Sequence, residues 1–290
     1  MRNVILACLL LCVAIGAHAT TLVVSDDDGS QVRVEWPPQR IISLAPNLTE
    51  LAYAAGLGPR MVAVTAYSDY PEAATRLPQV GDAFRLDWER IVALKPDLVL
   101  AWGSGLSARD RAAFAKLGLK LLVLEPRRLE DIPRALRLLG VLAATVAEAE
   151  AAASAFERQV ADLRARYASR PRVRAYMQIA DAPLLTVNGA HIVSDVLRLC
   201  GADNVFASAP LLTPTVSDEA LVKEQPHILL GVAANREQEA QTMSGWRKLP
   251  LLAVQQGRAG FIHPDLISRA TPRILQGAGQ VCELVEAARR

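Results

Sequence analysis

The chain has 290 residues, 51% hydrophobic and 21% charged, with 5% aromatic. That is enough for one large domain or two modest lobes with real cores, and far from the profile of disordered, collagenous or coiled-coil sequence. Lys plus Arg is 32 and Asp plus Glu is 30, so the net charge is only +2, and the large basic excess that a general nucleic-acid binder uses to displace counterions is missing.

The chain opens with Arg2 as a positive n-region, an apolar run from Ile5 to Gly16, and Ala17-His18-Ala19 as a small-x-small cleavage site. Residues 1–19 therefore read as a secretory signal peptide, with an exported mature chain starting near Thr20. The apolar run is too short to span a bilayer, and no other stretch has 18 consecutive apolar residues. A lipoprotein signal is the competing reading, because Ile5-Leu6-Ala7-Cys8 has lipobox-like residues, but it leaves almost no h-region before Cys8. Export removes Cys8 and Cys12 and leaves Cys200 and Cys282 as an even pair in an oxidising compartment. A disulfide is the natural expectation, and two buried thiols the bland alternative. No CxxC or zinc-type spacing accompanies them, so no metal site is expected there.

Residues 22–36 read as a β-hairpin around Asp26-Asp27-Asp28-Gly29, a turn with an Asp-Gly ready for positive φ. Pro37-Pro38 ends it, and Ile41 to Leu44 is a short buried-strand run. Asn47-Leu48-Thr49-Glu50 has the form of a capping box, opening a helix to Gly56 with Leu48, Leu51, Ala52 and Ala55 on one face. Strand and helix then alternate: Met61–Thr65, Asp87–Leu94, Leu98–Trp102, Ser107–Leu117, Lys120–Leu124. Such alternation argues for a mostly parallel sheet covered by helices. From Leu129 to Ala168 the pattern is helical throughout, and the lack of turn residues between Thr145 and Tyr167 predicts one helix of roughly 35 Å there. A second alternating region follows from Pro171. The expectation is an α/β protein of two Rossmann-like lobes, each a mostly parallel sheet with flanking helices, joined by one long rigid α-helix. The N-terminal lobe covers 20–128, the linking helix 129–170 and the C-terminal lobe 171–290.

An internal repeat supports two lobes. The run from Glu89 to Leu100 lines up with Glu219 to Leu230 at a constant offset of 130, with Glu, Val, Pro and Leu coinciding. Each copy is a short helix stopped before proline and followed by a buried strand. The shared Glu-to-Pro spacing favours duplicated lobes over a chance match of two amphipathic elements.

Enzyme signatures are missing. Gly103-Ser104-Gly105 is no nucleophile elbow, Gly56-Leu57-Gly58 is followed by Pro59 instead of a dinucleotide fingerprint, and neither a Walker A nor an HExxH motif occurs. Of the mature histidines, His227 precedes a strand and reads as structural. His263 is either an axial metal ligand or, far more commonly for such a residue, a plain loop histidine.

Ala66-Tyr67-Ser68-Asp69-Tyr70-Pro71, the Glu89–Trp102 segment, Cys200-Gly201 with Asn204, and Arg269-Ala270-Thr271-Pro272-Arg273 resemble the periplasmic cobalamin-binding proteins of vitamin importers, from about Arg40 to the C-terminus. The resemblance implies a monomeric, helix-linked two-lobe binding protein of the periplasm. It would carry cobalamin or a related corrinoid as its transported ligand, hold no cofactor of its own, and deliver the ligand to the transmembrane permease subunits of an ABC importer. Neither catalysis nor nucleic-acid binding is expected. Tyr67 matches a family position that packs on the corrin ring and Trp102 a cleft aromatic, although core packing alone would also place a tryptophan there. Asp265, Leu266, Ile267, Ser268 and Arg269 match a loop bordering the ligand from the other lobe. Glu89 and Glu219 match the two acids, one per lobe, that dock on permease arginines, while an acid in the first turn of a helix is also favoured by the macrodipole without any partner. Three positions that are aromatic in well-known family members fall on Ala83, Thr213 and Leu266, with Phe84 able to substitute for the first by a one-residue shift. A haem or ferric-siderophore binder on the same fold is the alternative ligand class. A periplasmic hydrolase would need a nucleophile and base that the sequence does not offer.

Overall fold

The computed structural model describes residues 20–167 and 169–290, so the signal peptide expected over residues 1–19 lies outside the described residues. No described helix is long and apolar enough to cross a membrane. The hairpin is β1 (Thr20–Ser25) and β2 (Gln31–Trp36), antiparallel in register Thr20 to Trp36, with Gly29 at φ 80° in the turn. The tip docks on the first lobe, where Asp27 accepts from the Glu125 N–H at 2.7 Å and from Arg134 at 2.6 Å.

The first lobe continues with β3 (Ile41–Ser43), α1 (Pro46–Ala54), β4 (Met61–Val64), α2 (Trp88–Ala93), β5 (Leu98–Trp102), α3 (Ala108–Lys116), β6 (Leu121–Leu124) and α4 (Asp131–Ala143). Its four strands are all parallel, in the order β4-β3-β5-β6. Being covered on both faces, they read as near-continuous apolar runs, as buried parallel strands must. Leu48, Leu51, Ala52 and Ala55 are buried as the sequence predicts. The capping box does not form. The N-cap is Ala45, without a side-chain bond, Pro46 occupies the first turn, and Glu50 points elsewhere.

The helical stretch expected from Leu129 onward is two helices. Ala144, at φ 56°, turns the chain back from α4 into α5 (Val146–Tyr167). The two pack so closely that a Cβ at Gly140 would fall 2.2 Å from that of Ala149, which only glycine tolerates. Arg137 ties the pair by reaching Glu150 at 2.7 Å and Glu157 at 2.6 Å. At 22 residues α5 is about 33 Å long. Its buried stripe of Ala149, Ala153, Phe156 and Val160 lies at helical spacing. It packs on α1 and α4 of the first lobe and on the helices Ile192–Leu199 and Ile274–Ala287 of the second.

The second lobe comprises β7 (Val173–Gln178), β8 (Ala180–Asp181), β9 (Leu184–Leu185), α6 (Ile192–Leu199), β10 (Ala202–Asn204), α7 (Asp218–Glu224), β11 (Ile228–Val232), α8 (Arg236–Arg247), α9 (Leu252–Gln255), β12 (Ala259–Ile262), α10 (Pro264–Ile267) and α11 (Ile274–Ala287). β8 and β9 form a small antiparallel hairpin, and the main sheet is parallel in the order β10-β7-β11-β12. By connectivity this order matches that of the first sheet, strand for strand.

The duplication reaches the backbone. The helix N-caps Asp87 and Ser217, the residues of positive φ Lys95 (46°) and Gln225 (39°), and Pro96 and Pro226 each lie 130 positions apart. Asp97 N–H donates to Arg40 O at 3.0 Å, and His227 N–H to Arg174 O at 2.8 Å, the same ladder bond in both lobes. Cys200, at the C-cap of α6, is bonded to Cys282 in α11, with Cα atoms 4.6 Å apart and both side chains fully buried.

His191 caps α6, its Nδ1 accepting from the Val193 N–H at 3.2 Å, and desolvation pushes its pKa down to about 4. The unfolded chain, with an ordinary histidine near 6.5, then binds more protons between about pH 4 and 6.5. The contribution is fully present above pH 6.5 and is lost as pH falls toward 4, at most about 3 kcal/mol. In urea titrations His191→Asn, which keeps an acceptor at the cap, should close part of the gap to wild type as pH falls through this window. Stability differences independent of pH would show that His191 is not the responsible group.

Candidate functional site

In open parallel sheets, ligands bind outside the carboxyl ends of the strands, and in both lobes those ends lead into the longest loops. Thr65–Asp87 follows β4, and the equivalent loop 205–217 follows β10. On the first lobe this margin forms a concavity of about 230 Å³ whose lining includes Tyr67, Phe84, Arg85, Trp102 and Leu106.

Tyr67 is 78% exposed although its backbone sits at φ 64°, a left-handed conformation costly for a bulky residue. The turn around it is bound on every side. Ala66 N–H donates to Gly81 O at 2.8 Å, Ser68 N–H to Thr65 O at 3.3 Å, and Arg269 Nη2 to Tyr67 O at 3.3 Å. Beneath it lies a buried hydroxyl cluster in which Thr49 Oγ1 is 2.9 Å from Ser43 Oγ and 3.1 Å from Ser68 Oγ. Thr65 Oγ1, at the start of the same turn, is buried without a hydrogen-bond partner. A strained backbone held in place beside a displayed aromatic is the kind of feature that clusters at binding sites.

Trp102 is the last residue of β5, partly buried against the core, with Nε1 donating to Ser104 Oγ at 2.8 Å. Phe84 is 98% exposed at the tip of a tight loop. There Asp82 Oδ1 accepts from the Phe84 and Arg85 N–H groups at 2.8 and 2.9 Å, and these bonds hold the Asp82 carboxyl below the usual range. Gly81, at φ 120°, makes the loop possible, because a Cβ there would lie 2.2 Å from Arg85 O. Tyr67, Phe84 and Trp102 thus surround one concavity, while Ala83 is exposed with nothing to stack. On the second lobe, Leu211 (65% exposed) and Thr213 occupy the equivalent loop.

The segment from Asp265 to Arg269 divides. Ser268 is exposed, and Asp265 and Leu266 are partly exposed. Ile267 is wholly buried in the core, so its side chain anchors the loop and does not line the cleft. Arg269, at 13% side-chain exposure, is largely consumed by carboxylates: Glu50 at 2.9 Å, Asp69 at 2.7 Å and Asp265 at 2.8 Å. Partial burial pushes the Asp69 carboxyl up, but hydrogen bonding and charge from Arg269 outweigh it and hold the group below its ordinary value. Glu50, 2% exposed, also accepts from Arg273 Nη1 at 3.0 Å and Thr271 Oγ1 at 2.9 Å. The lobes therefore meet through a buried ion-pair network whose keystone the sequence presents only as a cap.

His263 caps α10, with Nδ1 accepting from the Asp265 N–H at 3.3 Å. Its observed role is that of a helix cap. Glu89 and Glu219 are both exposed in the first turns of α2 and α7, without ion-pair partners among the described residues. The Glu219 carboxyl is held below the usual range by its own backbone N–H and then by Ser217. A helix preceding a parallel strand starts at the strand's carboxyl end, so both acids lie along the same edge of the molecule as the cleft loops.

Two parallel-sheet lobes, one long connecting helix and an aromatic-lined margin on the first lobe define a two-lobed solute-binding architecture. The chain belongs to the periplasmic binding protein family, whose model matches residues 41–265. It is 38% identical over 253 residues to the vitamin B12-binding protein of Pectobacterium carotovorum, covering 86% of this chain and 89% of that one. It is 39% identical over 245 residues to the vitamin B12-binding protein of Yersinia pestis, covering 84% and 85%. The crystal structure of the periplasmic vitamin B12-binding protein of Vibrio cholerae superposes with a TM-score of 0.81 at 35% identity, over 88% of this chain and 99% of that one. The periplasmic haem-binding protein of Roseiflexus, at 23% identity and a TM-score of 0.74 over 87% of this chain and 99% of that one, shares the fold.

Proposed function

We propose that the protein is a periplasmic solute-binding protein that captures cobalamin or a related corrinoid between its lobes and hands it to the permease of an ABC importer. The single observation that carries this reading is identity of 35% or more to vitamin B12-binding proteins over nearly the whole two-lobed chain, with Tyr67, Phe84 and Trp102 around one concavity. A corrinoid offers a broad flat macrocycle, and aromatic side chains bury large area against such a face at little rotamer cost. Asp265, Leu266, Ser268 and Arg269 would border it from the second lobe, with Leu266 and Thr213 giving a less aromatic wall there. No catalysis and no resident cofactor belong to this reading, and the protein would act as a monomer. The exposed acids Glu89 and Glu219, at equivalent places on the two lobes, would each meet a permease arginine. A duplicated chain can present one charge twice to a two-fold partner.

The test is the visible spectrum of protein incubated with cyanocobalamin or, separately, haemin, and then desalted. Retention of the cobalamin spectrum is expected, and retention of haemin alone would overturn the reading. Tyr67→Ala and Trp102→Ala should each weaken calorimetric affinity by on the order of 2 kcal/mol, about thirty-fold, without unfolding the protein. Unchanged affinity in both would remove these rings from the site.

A further inference from the structure

The helix that follows the first strand of each lobe carries the same four-residue pattern. Leu48-Thr49-Glu50-Leu51 on α1 corresponds to Val193-Ser194-Asp195-Val196 on α6: apolar, hydroxyl, acid, apolar. The hydroxyls play equivalent parts. Thr49 bonds Ser43 and Ser68, while Ser194 donates to Asn188 O at 2.7 Å and accepts from Asn204 Nδ2 at 2.9 Å. Each thereby pins its helix to strand ends of its own lobe. The acids instead cross the lobe boundary. Glu50 reaches Arg269, Thr271 and Arg273, in the stretch between β12 and α11. Asp195 accepts from the Leu129 N–H at 3.1 Å and lies 3.7 Å from Arg128 Nε, in the equivalent stretch between β6 and α4. Each lobe thus offers an acid to the loop after the other lobe's last strand.

We propose that Glu50 and Asp195 are a matched pair of positioning residues that set the width of the cleft, the Glu50 contact serving as the fixed pivot and the Asp195 contact as the one that yields. This rests on the reading that ligand is held between the lobes. The asymmetry comes from solvation. Glu50 is 2% exposed, and its partners Arg269 and Arg273 are 13% and 20% exposed, so separating them strands charge in a poorly solvated place. Asp195 shares itself with Arg198 of its own helix, and its partner Arg128 is 58% exposed and also paired with Glu130. A groove of about 480 Å³ opens beside it, between Arg128–Pro133, α5 and α6. Asp195 itself is 11% exposed, so its bond to the Leu129 N–H is sheltered, but water can take over the exposed Arg128 at less cost than it can reach Arg269. The pivot also bears on the site, because the guanidinium that Glu50 holds is the one that donates to Tyr67 O.

The test uses spin labels on exposed positions of opposite lobes, Arg109→Cys and Arg247→Cys, with inter-label distances measured by pulsed electron resonance without ligand and cyanocobalamin kinetics measured separately. Asp195→Asn should lengthen and broaden the distance distribution and speed ligand dissociation five- to tenfold, with the thermal midpoint nearly unchanged. Glu50→Gln should lower the thermal midpoint and weaken affinity about tenfold. Glu50→Asp, which keeps the charge, should recover part of both if the Gln variant folds poorly. A distance distribution in Asp195→Asn identical to wild type would overturn the proposal, as would a larger opening in Glu50→Gln than in Asp195→Asn. If cyanocobalamin binds no variant and not the wild type, the functional reading fails, and the distances still decide the lobe geometry.

Discussion

Replacing both cysteines of the Cys200–Cys282 bridge by serine should lower the unfolding free energy by about 4–5 kcal/mol. The bridge spans 82 residues, and cross-linking a loop of that length removes this much chain entropy from the unfolded ensemble in the loop-closure model. It also ties α6 to α11, the two helices of the second lobe that pack on α5. Loss of the bond therefore acts where that lobe meets the connecting helix. For a chain of this size the expected fall in thermal midpoint is about 7–9 °C. The double serine variant and reduced wild type should coincide in scanning calorimetry. A shift of only one or two degrees would mean that the unfolded chain is already compact enough for the bridge to exclude little.

The second large effect concerns delivery. Glu89→Ala with Glu219→Ala should leave ligand affinity intact and abolish productive complex formation with the permease in nanodiscs. Neither acid touches the concavity formed by Tyr67, Phe84 and Trp102, so binding should not sense their loss. If each carboxylate meets an arginine in a desolvated contact, removal strands the partner charge and costs roughly 2–5 kcal/mol per site. A rim pair would be worth less than about 1 kcal/mol and would be screened by salt. The double variant amplifies the difference between these cases. Normal uptake and normal complex formation by it would return both residues to ordinary first-turn acids, for which the macrodipole alone is sufficient explanation.

Much of the fold was legible because its signals are local. Asp87 at a helix start, prolines at 96 and 226, and apolar runs of strand length each declare an element within a few residues, and the offset of 130 revealed the duplication before any strand was paired. The break at Ala144 was less legible, since alanine carries no turn signature and the αL conformation there accompanies close packing of α4 on α5, which is not a local signal. Glu50 was misread for a related reason. Its spacing from Asn47 satisfies a capping rule, yet Pro46 already occupies the first turn, and the partners that claim the carboxylate lie 219 or more residues away. Comparing α1 with α6 would have exposed it, since apolar–hydroxyl–acid–apolar recurs in both. Ile267 shows the converse error: a segment can border a cleft while alternate side chains along it turn inward to the core.

The single passage of α5 between the lobes has a bearing on how little else must hold them together. Joined by one covalent strut, the halves experience each other at an effective concentration set by the strut and not by the protein's abundance. Separate subunits would need an extensive apolar interface to stay paired. These halves share the apolar stripe of α5 and otherwise need only a few hydrogen-bonded charges between them, which leaves facing surface at the cleft free. That unoccupied surface is what a captured molecule can use, so a lone connecting helix trades area that a dimer would spend on itself for area available to cargo.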